Sequence, residues 1–139
     1  MISAFIPFKK ISPPQAAYNS IPFSERSALN TAADRIFKYH EYQEMRDYSY
    51  SDEHGSEISM RVLPIDKVGI YVPGGTAAYP SSVLMNAIPA RVANVNEIFM
   101  VVPSPGGVLN PMVLAAAHIA GVSRVFKIGG AHAIAFWLQ

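Results

Sequence analysis

The sequence predicts an α/β fold built on a small parallel sheet, with a helix and a hairpin ahead of it. Three observations carry that prediction. After Pro64, a short apolar run is followed by a helical pattern three times over. The runs at residues 68–72, 98–102 and 124–128 are too continuously apolar for a sheet with one wet face, which points to parallel strands covered by helices. Each run ends in a turn rich in Gly or Pro, so short, right-handed crossovers are expected. Residues 65–139 are therefore expected to form a Rossmann-like α/β domain. A Pro-rich arm over residues 1–23 and a helix plus hairpin over residues 24–64 precede it.

Length and composition agree with one globular unit. The chain has 139 residues, 50% hydrophobic and 15% charged, which is enough apolar material for a core and too little charge for disorder. A formal net charge of +1 gives no electrostatic case for nucleic acid or an anionic membrane surface. Without cysteine there are neither disulfides nor thiolate metal ligands, which fits a reducing compartment. No apolar run approaches the roughly 20 residues of a membrane span, and the apolar start lacks a basic segment and is interrupted by Pro7. The expectation is a cytoplasmic protein with no membrane or nucleic-acid partner.

The elements follow in chain order. Pro7, Pro13, Pro14 and Pro22 keep residues 1–23 from holding a long helix and favour an extended arm. From Ser24, a candidate N-cap with Glu25 in the first turn, Leu29, Ala32, Ala33, Ile36 and Tyr39 recur at helical spacing, predicting a helix to about Arg46. Residues 47–64 read as a hairpin. Tyr48 and Tyr50 alternate on one arm and Ile58, Met60 and Val62 on the other, around a turn through Asp52 and Gly55, and one face is expected to be buried. Val83, Leu84, Ala87, Ile88 and Val92 stripe a helix over residues 81–93, which Pro89 should kink or break. Asn110 with Pro111 starts the next helix and Gly121 stops it. Residues 112–120 are almost wholly apolar, so that helix should be well covered. A last helix opens at Ala131 and runs into Ile134, Phe136, Trp137 and Leu138 with no strand after it. The domain thus reads as incomplete, and its apolar end is expected to drive assembly into a homo-oligomer.

Ligand chemistry concentrates at one stretch. Val68-Gly69-Ile70-Tyr71-Val72 leads into Pro73-Gly74-Gly75-Thr76, and Ser81-Ser82 open the next helix. A strand, a tight loop and a helix N-terminus form the junction at which open α/β sheets bind ligands. Glycine lets backbone N–H groups approach a ligand closely. A second pair, Gly129-Gly130, falls on the same carboxyl edge, although tight turns alone would explain both pairs about half the time. No G-x-G-x-x-G follows the first strand and no acidic residue ends the second, so the dinucleotide fingerprint is rejected. His40, His54, His118 and His132 lack paired metal-ligand spacing, and His118 reads as a buried, hydrogen-bonded imidazole. No G-x-S-x-G elbow exists either. Two residues stand out. Tyr71 ends the first parallel strand beside the Gly74-Gly75 loop, with a core aromatic as its plain alternative. His132 opens the helix after Gly129-Gly130.

The run from Arg61-Val62-Leu63-Pro64 through Gly69-Ile70-Tyr71-Val72-Pro73-Gly74-Gly75-Thr76-Ala77-Ala78-Tyr79-Pro80-Ser81-Ser82-Val83-Leu84-Met85-Asn86-Ala87-Ile88-Pro89-Ala90 closely resembles histidinol dehydrogenase. Val113-Leu114-Ala115-Ala116-Ala117, Ala120-Gly121-Val122 and Gly129-Gly130-Ala131-His132-Ala133-Ile134-Ala135 continue the resemblance in order, over roughly residues 25–135 and with the N-terminal portion of the family only. It implies an NAD-linked, zinc-dependent oxidoreductase of histidine biosynthesis, which takes L-histidinol through histidinal to L-histidine in two hydride transfers. It also implies Tyr71 as an NAD contact, with Pro73, Gly74, Gly75, Gly129 and Gly130 at the cofactor, and His132 where the family has a glutamine that contacts NAD. That departure counts against cofactor binding, since glutamine offers donors and an acceptor together and neutral imidazole one of each. Asn94 stands where the family commonly has glycine, and Phe136-Trp137-Leu138 departs from its small residues. The family's acid–base groups, zinc ligands and histidinol-binding residues lie beyond the part resembled. On that reading no residue here is catalytic, zinc finds no ligand set, NAD binds weakly and the chain alone is inactive. Two readings follow: a piece of the enzyme carrying half a cofactor site, or a truncated, non-catalytic remnant acting as a binding or interaction module.

Overall fold

The structure, a computed structural model, describes residues 15–74, 78–131 and 133. Its first element, α1 (Gln15–Ser20), lies in the stretch expected to be extended. Ala16 and Ala17 favour helix, and Ser20 donates from Oγ to the Ala17 carbonyl at 2.8 Å in the last turn. Six residues do not hold a helix alone; tertiary packing does so here, through the neighbouring Ile21, which is buried in the core.

The next helix, α2 (Phe23–Glu41), starts just before Ser24 and stops short of Arg46. Pro22 occupies the N-cap position without a side-chain bond, so Ser24 falls inside the first turn. The core side of α2 buries Leu29 and Ala33. Past Tyr42 come β1 (Tyr48–Ser51) and β2 (Glu57–Met60), an antiparallel pair with Tyr50 opposite Ile58. Asp47 Oδ1 accepts from the Val62 N–H at 2.7 Å and closes the base of the hairpin. Its expected buried face is not found: along both strands only Met60 is even partly covered. Burial needs a second layer, and the helices are committed to one another and to the other sheet. Tyr48 and Tyr50 instead stack with ring centroids 6.5 Å apart, both exposed.

The parallel sheet is as expected. It holds β3 (Lys67–Tyr71), β4 (Glu97–Val101) and β5 (Arg124–Phe126) in that order, with Ile70 beside Met100 and Met100 beside Val125. The last strand is shorter than residues 124–128 because the Ile128 N–H turns back to the Phe126 carbonyl at 3.1 Å. The crossover helices are α3 (Pro80–Val92) and α4 (Pro111–Ile119). Pro89 does not end α3. Its missing N–H leaves only the Met85 carbonyl without a helical donor, at an exposed position where water can supply one. Asn110 caps α4 as expected, accepting from the Met112 N–H at 2.8 Å. The core joins Ile70, Ile98, Met100 and Val125 to the Val83, Leu84, Ala87 and Ile88 stripe of α3 and to the alanines of α4. The helix expected from Ala131 onward falls almost wholly outside the described residues, as do Ile134, Phe136, Trp137 and Leu138.

Candidate functional site

Strands alternate their side chains, so Ile70 turns into the core and Tyr71 turns to the face opposite it. There Tyr71 remains 37% exposed. Its hydroxyl accepts a long hydrogen bond, 3.4 Å, from the backbone N–H of Gly130. The parallel pairing of β3, β4 and β5 puts their carboxyl ends on one edge, and this bond joins residues 59 apart in the chain across it.

The loops of that edge meet at Pro103. A Cβ added to Gly74 would come within 2.3 Å of the Pro103 carbonyl oxygen, and one added to Gly129 within 2.5 Å of its Cγ. Both glycines are therefore explained first by loop packing, before any ligand. Beside them a cleft of about 130 Å³ is lined by Pro73, Gly74, Pro103, Pro105, Leu109 and Asn110, among others. Ligand pockets for whole small molecules run to roughly 300–1,000 Å³, so this one suits a fragment such as a ribose or a phosphate group. The Asn110 side-chain oxygen is already engaged by the Met112 N–H.

Of the residues singled out from the sequence, Tyr71 and Gly130 come together directly, and Gly74 and Gly129 come together through Pro103. Pro73 joins Gly74 in the cleft wall. Gly75 and His132 lie outside the described residues. Sequence reasoning missed Pro103, the hub, and Lys127, whose ammonium donates to the Gly107 carbonyl and ties the loop after β5 to the loop after β4. Two prolines around Ser104 ahead of Gly106-Gly107 were the available sign of a rigid loop there.

The other histidines serve elsewhere. His118 is only partly buried, with its ring 5.2 Å from that of Tyr18, which corrects the expectation of a buried imidazole. His54 is exposed in the hairpin turn and gives its backbone N–H to Asp52. Among the described residues no three His, Asp or Glu side chains gather as a metal ion would need, and no helix is long and apolar enough to cross a membrane. A hollow of about 830 Å³ sits at the opposite edge of the sheet, between the hairpin base and the end of α3.

The profile of the family described as Histidinol dehydrogenase matches residues 9–137. The chain is 59% identical over 121 residues to histidinol dehydrogenase from Chromobacterium violaceum, and 58% over 120 residues to that from Neisseria gonorrhoeae. These alignments take in 87% and 86% of this chain, and 28% of each relative. The crystal structure of histidinol dehydrogenase from Elizabethkingia anophelis superposes with a TM-score of 0.84 at 32% identity, over 90% of this chain and 30% of that one.

Proposed function

The chain belongs to the histidinol dehydrogenase family, of whose curated members it spans about 28%, and from that premise we propose that it supplies the NAD-holding edge of a histidinol-oxidising enzyme. The observation that carries this is the meeting of Tyr71 with Gly130 at the carboxyl edge of the sheet. A phenol both accepts and donates. With its oxygen accepting from Gly130, the Tyr71 O–H is left to donate to a ribose or amide oxygen of the cofactor. Gly74 and Gly129 keep the loops low around it and Pro73 closes the side of the cleft, while by the resemblance His132 would present an imidazole in place of the family's amide.

The described residues fit part of NAD: an exposed aromatic hydroxyl, a fragment-sized cleft and short glycine loops. Tyr71 and the loops of Gly74, Gly129 and Gly130 would hold NAD, whose nicotinamide ring would supply the hydride acceptor. This chain's residues would hold and orient it. They do not fit zinc, since the described residues bring no ligand trio together, and no step is derived through that metal. By the resemblance, the acid–base work on histidinol belongs to the rest of the family's fold, so these 139 residues alone should bind NAD weakly and not turn histidinol over. We place the protein in the cytoplasm, acting on small molecules, with copies that associate.

A second reading, a non-catalytic module that pairs with a longer family member, is favoured by the uncovered hairpin. Mixing with a full-length relative separates the two, because a stable complex that leaves activity unchanged supports the module.

Calorimetric titration of NAD into the chain tests the first reading. Binding near the millimolar level, about −4 kcal/mol, is expected. Tyr71→Phe should weaken it roughly threefold to tenfold through one lost hydrogen bond, and His132→Gln should tighten it by a similar factor. A Tyr71→Phe variant that binds like wild type, or no NAD binding at all, sinks the assignment.

A further inference from the structure

We propose that Lys127 is the phosphate-binding residue of this edge, taking the pyrophosphate of a dinucleotide; the inference rests on the cofactor reading above and adds to it the group that meets the cofactor's charge. A pyrophosphate linking two nucleosides carries two negative charges near neutral pH. Tyr71, Pro73, Gly74, Gly75, Gly129 and Gly130 bring no formal charge to meet them. Of the other cations on the parallel sheet, Lys67 and Arg124 lie at the amino edge, both against Glu97, at 3.1 and 3.9 Å. Lys127 follows β5 at the carboxyl edge, three residues before the Gly130 that bonds Tyr71.

Its placement suits the role. Lys127 donates to the Gly107 carbonyl, in the same loop whose Pro105, Val108 and Leu109 line the fragment-sized cleft. An ammonium has three N–H donors, and that carbonyl takes one of them. The bond holds the charge over the β4–α4 loop while two donors stay available to phosphate oxygens. The glycines at this edge let a ligand's phosphates come near the backbone but supply no net charge; the lysine supplies it from the next loop.

The test is calorimetry with three probes: NAD, ADP, which keeps a pyrophosphate, and adenosine, which has none. Lys127→Gln should weaken NAD and ADP about fivefold and leave adenosine unchanged, while Lys127→Arg retains most of the affinity. The wild-type preference for ADP over adenosine should shrink as added salt shortens the Debye length from about 10 Å to about 3 Å; this arm needs no variant to fold. Adenosine weakened as much as ADP would mean that Lys127 only braces the loop, which overturns the proposal. ADP bound equally by wild type and Lys127→Gln, with Tyr71→Phe still impaired toward NAD, overturns the lysine assignment and leaves the cofactor reading standing. Failure of wild type to bind NAD or ADP removes both.

Discussion

Asp52 organises the hairpin turn from a partly exposed position. Its carboxylate accepts the N–H of His54 at 2.9 Å and of Ser56 at 2.8 Å, and its own N–H reaches the Ser56 carbonyl at 3.0 Å. The Ser56 backbone bond above all holds its pKa below the usual 3.8, since the charged form accepts better. A depressed folded pKa contributes stability above the unfolded value and loses it as the pH falls through the folded one. The amides of His54 and Ser56 should therefore lose hydrogen-exchange protection as the pH drops below about 3.8, and Asp52→Asn should flatten that dependence. Equal protection across the acid range would refute the link. The turn was legible in the sequence, because Asp52 and Gly55 are turn residues with a stated mechanism. The bond between Tyr71 and Gly130 was not, since nothing local reports a contact 59 residues away.

At the level of elements, α3 and α4 end alike. At each C-terminus a 6→1 and a 5→2 backbone bond close the helix: Val95 to Ala90 at 3.0 Å and Asn94 to Arg91 at 2.9 Å, then Val122 to Ala117 at 2.9 Å and Gly121 to His118 at 3.1 Å. Each motif needs one residue at positive φ, and these are Asn94 at 60° and Gly121 at 75°. Gly121 was readable as a stop. Asn94 could be noted from the sequence only as standing where the family commonly has glycine, and its φ supplies the reason. Asparagine tolerates this region because its short polar side chain bonds locally, whereas alanine gains nothing there. Asn94→Ala should cost about 1 kcal/mol in a urea melt, and Asn94→Gly should stay within about 0.5 kcal/mol of wild type. An Ala variant as stable as wild type would argue that the helix ends some other way. The hairpin's exposure was the least legible feature at this scale: alternation announces two faces and leaves open whether anything covers either.

Across the whole molecule, apolar surface is unevenly covered. The sheet and helices close around a continuous core, yet Met45, Leu63 and Ile65 stay more than 60% exposed beside the hollow at the amino edge, and Tyr48, Tyr50 and Ile58 line a bare hairpin. A two-stranded hairpin is marginal in water by itself, so these surfaces favour contact with another layer. Sedimentation of the chain at micromolar concentration should give a dimer or larger, and Leu63→Ser with Ile65→Ser should shift it toward monomer; a clean wild-type monomer would count against this. Pro103 carries a different kind of consequence, one for the order in which substitutions can accumulate. Gly129 is held small by the side chain of Pro103, whose Cγ and Cβ would lie 2.5 and 2.8 Å from an added Cβ, so only glycine at 103, which lacks both atoms, opens position 129 to alanine. Gly74 is held small by the carbonyl oxygen of residue 103, which every amino acid possesses. The first glycine is thus contingent on its neighbour's identity and the second is not. A lineage could lose Gly129 after changing Pro103 to glycine, but could lose Gly74 only by moving the backbone itself.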